Sequence, residues 1–270
     1  MMFENQIVGI TRFSIPSTDA FEVSKSSIEE CEALLYAPDR LDQRFALFEQ
    51  FCLPSLVEQT DTDFLALILI GQNLPKPYHD RLMGLIEPHD HICVVEVAPD
   101  KHFKMINKVV RHLPPLGFTH RTTFRLDDDD MVDTGYVARL RAQSAILAQI
   151  SPDEPVAVAY HLGYYLDISQ DTPAIYEVKE SLPLGLALSV TAPIDWRSNI
   201  YAWNHRFVPK KCSTFTDLQT PSFIRTMHGW NDAPRQAKFD STPIGLKDVM
   251  PIVEGTFPST LAPILRQQEP

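Results

Sequence analysis

Along the first 150 residues, short apolar runs alternate with stretches whose apolar side chains recur at helical spacing. Gln6-Ile7-Val8-Gly9-Ile10-Thr11 is a β-branched run, and Arg12-Phe13-Ser14-Ile15-Pro16 follows it, the proline ending the strand. Residues 39–52 carry Leu41, Phe45, Leu47, Phe48 and Phe51 near helical spacing, with Pro54 as the stop. Phe64 to Ile70 is apolar at every position, as in a strand covered on both faces, and Gly71 closes it. The same reading predicts helices over 76–87, 102–113 and 133–150, and strands over 92–97 and 119–126. The order βαβαβαβα predicts an α/β fold with a doubly wound, mainly parallel sheet.

After Pro152 the texture changes. Residues 156–160, 175–178 and 184–190 are β-like and closely spaced, which predicts antiparallel hairpins and an α+β second half. Residues 205–270 are rich in proline and lack a clear period, so loops and short helices are expected there. The expectation is a single domain over 1–270, with a ligand-binding half at 1–150 and a second half at 151–270.

The charge balance of 24 Lys+Arg against 35 Asp+Glu, net −11, opposes general nucleic-acid binding, and no basic stripe stands out to reverse that. The longest unbroken apolar run, Phe64 to Ile70, is far shorter than the roughly 20 residues a membrane helix needs, so no transmembrane segment is expected. Met1-Met2-Phe3-Glu4-Asn5-Gln6 has no apolar core of a secretory signal, and a cytoplasmic protein is expected. Cys31, Cys52, Cys93 and Cys212 form no C-x-x-C pair and suit buried, reduced thiols.

The feature richest in chemistry is Phe124-Arg125-Leu126-Asp127-Asp128-Asp129-Asp130. Four successive carboxylates repel one another and call for a compensating cation or helix N-terminus. They directly follow a predicted parallel strand, where open α/β sheets bind ligands. Hard oxygen donors at that place suit Mg2+ or Mn2+ bridging a diphosphate; a solvated acidic cap on the helix near Asp133 is the plain alternative. His89-Asp90-His91 has a metal-like spacing but no third ligand nearby, and reads as a loop.

Taken together, Gly9-Ile10-Thr11-Arg12-Phe13-Ser14, Leu53-Pro54-Ser55-Leu56 with Gln59-Thr60-Asp61 and Phe64, the aspartate run, and His228-Gly229-Trp230-Asn231 resemble a family of bacterial rhamnosyltransferases. The resemblance covers most of the chain and implies a GT-A-type glycosyltransferase. It implies that residues 1–150 bind a nucleotide-sugar and that the second half meets a saccharide or other hydroxyl acceptor. Asp127 and Asp129 match the D-x-D of that fold, Asp129 as direct metal ligand and Asp127 toward ribose or metal, although the run of four permits a shifted register. The resemblance further places Thr11, Arg12 and Ser14 at the nucleotide, and His228 as a late ligand closing an Mn2+ or Mg2+ site.

An inverting transfer also needs a carboxylate within reach of the acceptor hydroxyl. Glu180, Asp195 and Asp232 are candidates, and Asp195 is favoured because Trp196 beside it offers an indole face to a sugar. Trp203, Trp230 and Tyr164-Tyr165 add aromatic surface to the same half. The expected activity is metal-dependent glycosyl transfer, possible sugars including rhamnose, in surface polysaccharide synthesis. The rivals are nucleotidyl transfer, which usually uses a glycine-rich basic loop after strand one, and a non-catalytic nucleotide-sugar-binding module. No G-x-S-x-G, G-x-x-x-x-G-K-[ST] or G-x-G-x-x-G motif points elsewhere.

Overall fold

The computed structural model describes residues 3–19, 27–170, 172–229 and 243–266. Its strands are β1 (Asn5–Arg12), β2 (Leu65–Gly71), β3 (Ile92–Val97), β4 (His120–Asp127), β5 (Met131–Val132), β6 (Val156–Tyr160), β7 (Leu162–Asp167), β8 (Ala174–Lys179), β9 (Leu188–Pro193), β10 (Ser213–Asp217) and β11 (Phe223–Met227). Seven of them form the main sheet in the order β10-β6-β9-β4-β1-β2-β3, and β5-β11-β7-β8 form a second, smaller sheet. The contiguous block β3-β2-β1-β4 is parallel throughout, as the apolar runs predict. The fold is therefore α/β with a mainly parallel large sheet, and its strand order reverses between β1 and β4. That is where such sheets open a crevice for a ligand.

The helices are α1 (Ile28–Leu35), α2 (Pro38–Leu47), α3 (Leu53–Val57), α4 (Lys76–Ile86), α5 (His102–His112), α6 (Tyr136–Ile150), α7 (Leu246–Thr256) and α8 (Leu261–Arg266). The predicted helix over 39–52 runs as α2 into a π turn, Phe48–Cys52, and then α3. Pro54 explains the break, because it has no N–H for the carbonyl of Gln50 four residues back. Leu53 N–H instead reaches back to Phe48, and the Thr260 hydroxyl donates to the Gln50 carbonyl at 2.7 Å. Phe13, Phe45 and Phe48 pack edge to face beneath this turn, at 4.7 and 5.3 Å between ring centres.

One glycine sets how closely the central strands approach. A Cβ on Gly9 would stand 2.5 Å from the Phe124 ring, so the side chain of β4 lies across β1 only because that position is bare.

The second half departs from the expectation in three ways. β7 was not expected, and the strand expected over 184–190 begins only at Leu188. Antiparallel pairs do occur, β4 with β9, β6 with β9 and β7 with β8, but β10 joins β6 and β11 joins β7 in parallel. The proline-rich stretch supplies two strands besides the expected short helices, β10, an edge strand with an exposed face, and β11, each five residues long. Neither leaves a strong sequence period. No helix among the described residues is long and apolar enough to cross a membrane.

Candidate functional site

The four aspartates form a turn at the end of β4, closed by the Asp130 N–H donating to the Asp127 carbonyl at 3.2 Å. This turn links the two sheets, since Met131 and Val132 pair at once with Ile224 and Phe223 of β11. Antiparallel register, carried two residues further, sets Asp129 opposite Thr226 and brings His228 back to the turn. Thr226 accordingly donates its N–H to Asp130 Oδ1 at 3.0 Å and its hydroxyl to the Asp129 carbonyl at 2.7 Å. His228 Nε2 lies 3.1 Å from Asp129 Oδ2, although 99 residues separate the two in sequence.

Three arginines pair with the run. Arg44 on α2 straddles Asp128, with Nε at 3.1 Å from Oδ2 and Nη2 on Oδ1, and reaches Asp129 Oδ2 at 3.1 Å. All three side chains are nearly inaccessible. Arg12 at the end of β1 donates to Asp127 Oδ1 at 2.7 Å, and Arg125 stands 3.6 Å from Oδ2. The alternative of a solvated helix cap fails, because Asp128, Asp129 and Asp130 are buried and a different carboxylate, Asp133, bonds Gly135 N–H and Arg139 at the start of α6.

The surroundings separate the acids by charge state. Burial works to raise Asp127, but Arg12 and Arg125 outweigh it and hold the carboxyl well below the usual range. Asp129 is lowered in the same contest, by Arg44 and then His228. Asp130 goes the other way, since burial and then its neighbours Asp129 and Asp127 push it well up.

The Asp127 side chain is 32% exposed, and this opening at the end of β4, the mouth of the site, is cationic and aromatic. The Arg125 and Arg12 guanidinium carbons lie 4.8 and 5.7 Å from the centre of the Tyr201 ring. His102 Nε2 sits 3.0 Å from Arg12 Nη1, and burial followed by Arg12 and Arg125 pushes the imidazole down to about 3, so it accepts from the guanidinium as a neutral ring. His205 is likewise pushed down to about 4, by burial and then Arg125. Gly185 closes the back of Arg125, because a Cβ there would stand 2.7 Å from its Cζ. Ser14, just past β1, has a left-handed φ of 50°, and its Oγ and the Arg125 Nε are buried with no hydrogen-bond partner among the described residues.

The expected site residues thus divide. Arg12, Asp127, Asp129 and His228 converge on one mouth, with Ser14 beside it. Thr11 is fully buried with its hydroxyl 3.8 Å from Cys52 Sγ, so it lies beneath the turn and does not line the mouth. Asp195 is displaced altogether: β9 runs antiparallel to β4, with Pro193 opposite His120, and the Ile194 N–H bonds the Thr119 carbonyl. It therefore sits at the far end of β4 from Asp127, about 23 Å away at the usual strand rise. Trp196 stays with it, packed against Trp203 at 5.7 Å. Trp230, Asn231 and Asp232 lie outside the described residues.

Glu180, the remaining candidate base, is tied to the site. Tyr165 donates its hydroxyl to Glu180, Arg225 donates to Tyr165 Oη at 3.4 Å, and Asp130 is the main charge raising Arg225 against its burial. Arg44 and Arg225 were not singled out from the sequence. Gln59, quoted for the family resemblance, has an architectural place: its amide bonds the carbonyls of Ser55 and Asp133 and accepts from Val137 N–H at the start of α6.

Among solved structures the chain is similar to S. aureus TarS residues 1–349 in complex with UDP, at 8% identity and a TM-score of 0.43, over 82% of this chain and 60% of that one. It is similar also to a protein described as a "putative nucleotide-diphospho-sugar transferase" from Desulfovibrio desulfuricans G20, at 9% identity and a TM-score of 0.34, over 99% of each chain. A third is 4-diphosphocytidyl-2C-methyl-D-erythritol synthase from Anaerococcus prevotii DSM 20548, at 12% identity and a TM-score of 0.37, over 91% and 93% of the two chains. The chain spans 60% of the length of the TarS fragment it matches. No curated protein matches it. The arginine that ends β1, the aspartate turn and the histidine that returns to it all fall within residues 6–239, the span matched by the family described as "Putative rhamnosyl transferase", and the chain belongs to that family of glycosyltransferases.

Proposed function

We propose that this chain transfers a sugar, rhamnose by the family's description, from a nucleoside-diphosphate donor to a hydroxyl acceptor, with a divalent metal at Asp129 and His228. The observation that carries the reading is the meeting of Asp129 Oδ2 and His228 Nε2 at 3.1 Å at the end of a central parallel strand. Two donors on a metal with bonds of about 2.1 Å in octahedral geometry are about 3 Å apart, so the pair suits one shared ion. No group of three His, Cys, Asp or Glu side chains able to hold a metal occurs among the described residues. An ion at Asp129 and His228 would take its other ligands from substrate phosphates and water, as Mg2+ and Mn2+ sites commonly do. When bound, the metal supplies Lewis-acid stabilisation of the leaving diphosphate.

The chain's own residues account for the rest of the site. Arg12 and Arg125 are held in place by Asp127, Tyr201 and Gly185, and give a diphosphate two forked donors. The unpartnered Ser14 Oγ and Arg125 Nε offer further donors to the nucleotide. His102, neutral, keeps the Arg12 fork oriented without adding a proton to the site. Glu180 replaces Asp195 as the base: its carboxylate takes the acceptor proton, while the Tyr165 hydroxyl and Arg225 fix its position.

The test is nucleoside-diphosphate release from a panel of nucleotide-sugars, including a nucleoside-diphosphate rhamnose, with Mn2+ and acceptor. The reading expects turnover of at least one donor, and in Glu180→Gln a fall in kcat of at least about 100-fold with nucleoside-diphosphate binding retained. Release from nucleoside triphosphate and sugar phosphate, with none from nucleotide-sugars, overturns it in favour of nucleotidyl transfer.

A further inference from the structure

Between Asp195 and Asp217 the chain has no acidic residue, although it carries 35 in all, and it has four cations there, Arg197, Arg206, Lys210 and Lys211. The four are exposed, and none makes an ion pair among the described residues. Three of them lie on or next to a single 3-10 turn, His205–Lys210, which Asn204 caps by accepting the Arg206 N–H at 3.0 Å.

The turn is anchored from inside. Val208 is fully buried among Leu188, Ile200 and Tyr201, with Trp196, Trp203 and Cys212 packed on the same cluster. In a 3-10 helix residues three apart eclipse, so Phe207 and Lys210 share one outward edge. Phe207 is 50% exposed, and the Lys210 ammonium lies 5.4 Å from its ring centre. Phe215, on the neighbouring edge strand β10, adds a second aromatic ring at 44% exposure. His205 opens the turn. The limits of this patch are acidic: Asp195 and Asp217 in sequence, and Asp153 and Glu154 ahead of the strand that β10 pairs with.

An aromatic ring standing out beside unpaired lysines on a rigid turn has the two features of an interfacial membrane contact, an apolar wedge and cations for anionic headgroups. We propose that residues 204–215 dock this protein on an anionic bilayer surface, with Phe207 entering the headgroup region and Arg206, Lys210 and Lys211 pairing with lipid phosphates. A long polyanion such as nucleic acid matches the cations but offers Phe207 no apolar phase to enter.

The proposal stands apart from the transferase reading and is tested by vesicle co-sedimentation of the full chain. Vesicles of phosphatidylcholine with about 30% phosphatidylglycerol should bind the protein, and pure phosphatidylcholine should not. At about 1 kcal/mol per cation near such a surface, K210Q/K211Q should weaken binding about 30-fold, and 0.5 M salt should act in the same direction. F207S should also weaken it several-fold, while nucleotide-induced thermal shifts of both variants stay at the wild-type value. Absence of wild-type binding to anionic vesicles overturns the proposal. So does vesicle binding that the variants leave unchanged, or RNA binding as tight as vesicle binding with F207S without effect.

Discussion

Arg44→Met is the perturbation that tests most sharply how the aspartate turn is held. Arg44 is 8% exposed in its side chain, and Asp128 and Asp129 are 2% and 10%, so removing the guanidinium leaves two carboxylates without the cation they face. Breaking a buried pair by deleting one partner costs about 3–5 kcal/mol, because the other charge stays desolvated. With about 2.1 cal/mol/K of unfolding entropy per residue, a chain of this length should lose about 5–9 °C in Tm. R44M/D128L should recover more than half of that loss, since the charge that suffers most has gone with its partner. Thermal unfolding followed by circular dichroism at pH 7 reads all three proteins. A Tm for Arg44→Met within about 2 °C of wild type would refute the claim that arginine neutralises the run.

His102 is neutral in the folded protein, pushed down to about 3, while the unfolded chain takes up its proton near the usual 6.5. Its contribution is therefore complete above about pH 6.5 and is lost as pH falls toward 3, about 2 kcal/mol of it by pH 5; His102→Gln should flatten the fall in Tm between pH 7 and 5, and identical slopes would contradict this. Arg12→Ala should weaken nucleoside-diphosphate binding by about 1.5–3 kcal/mol in calorimetry, and unchanged affinity would remove it from the site. Gly185→Ala places a methyl 2.7 Å from Arg125 Cζ and should cost about tenfold in the same affinity through displacement of that side chain, with a normal Tm.

The parallel core was legible because a strand covered on both faces has to be apolar throughout, and β2 is. The aspartate turn was legible because four like charges at a strand end demand an explanation. Its partner was not. Arg44 lies on an amphipathic helix 84 residues away, and nothing local separates an arginine facing solvent from one turned onto a buried carboxylate. Asp195 was misplaced for a topological reason. A parallel β9 would have delivered it to the mouth, whereas the antiparallel pairing with β4 sends it to the opposite end, and strand direction leaves no mark on side-chain alternation. Glu180 stood among the candidates without distinction, since its tie to the site passes through Tyr165 and Arg225 on two other strands.

The central claim is that Asp129 and His228 hold a metal against a nucleoside diphosphate, and thermal shift with and without Mn2+ addresses it most directly. Wild type should gain Tm from UDP or dTDP with Mn2+ present, by mass action on the folded state, and far less after chelation. Asp129→Asn and His228→Ala should each lose the Mn2+-dependent part and keep the shift from nucleotide alone. Equal Mn2+-dependent shifts in wild type and both variants would contradict the account.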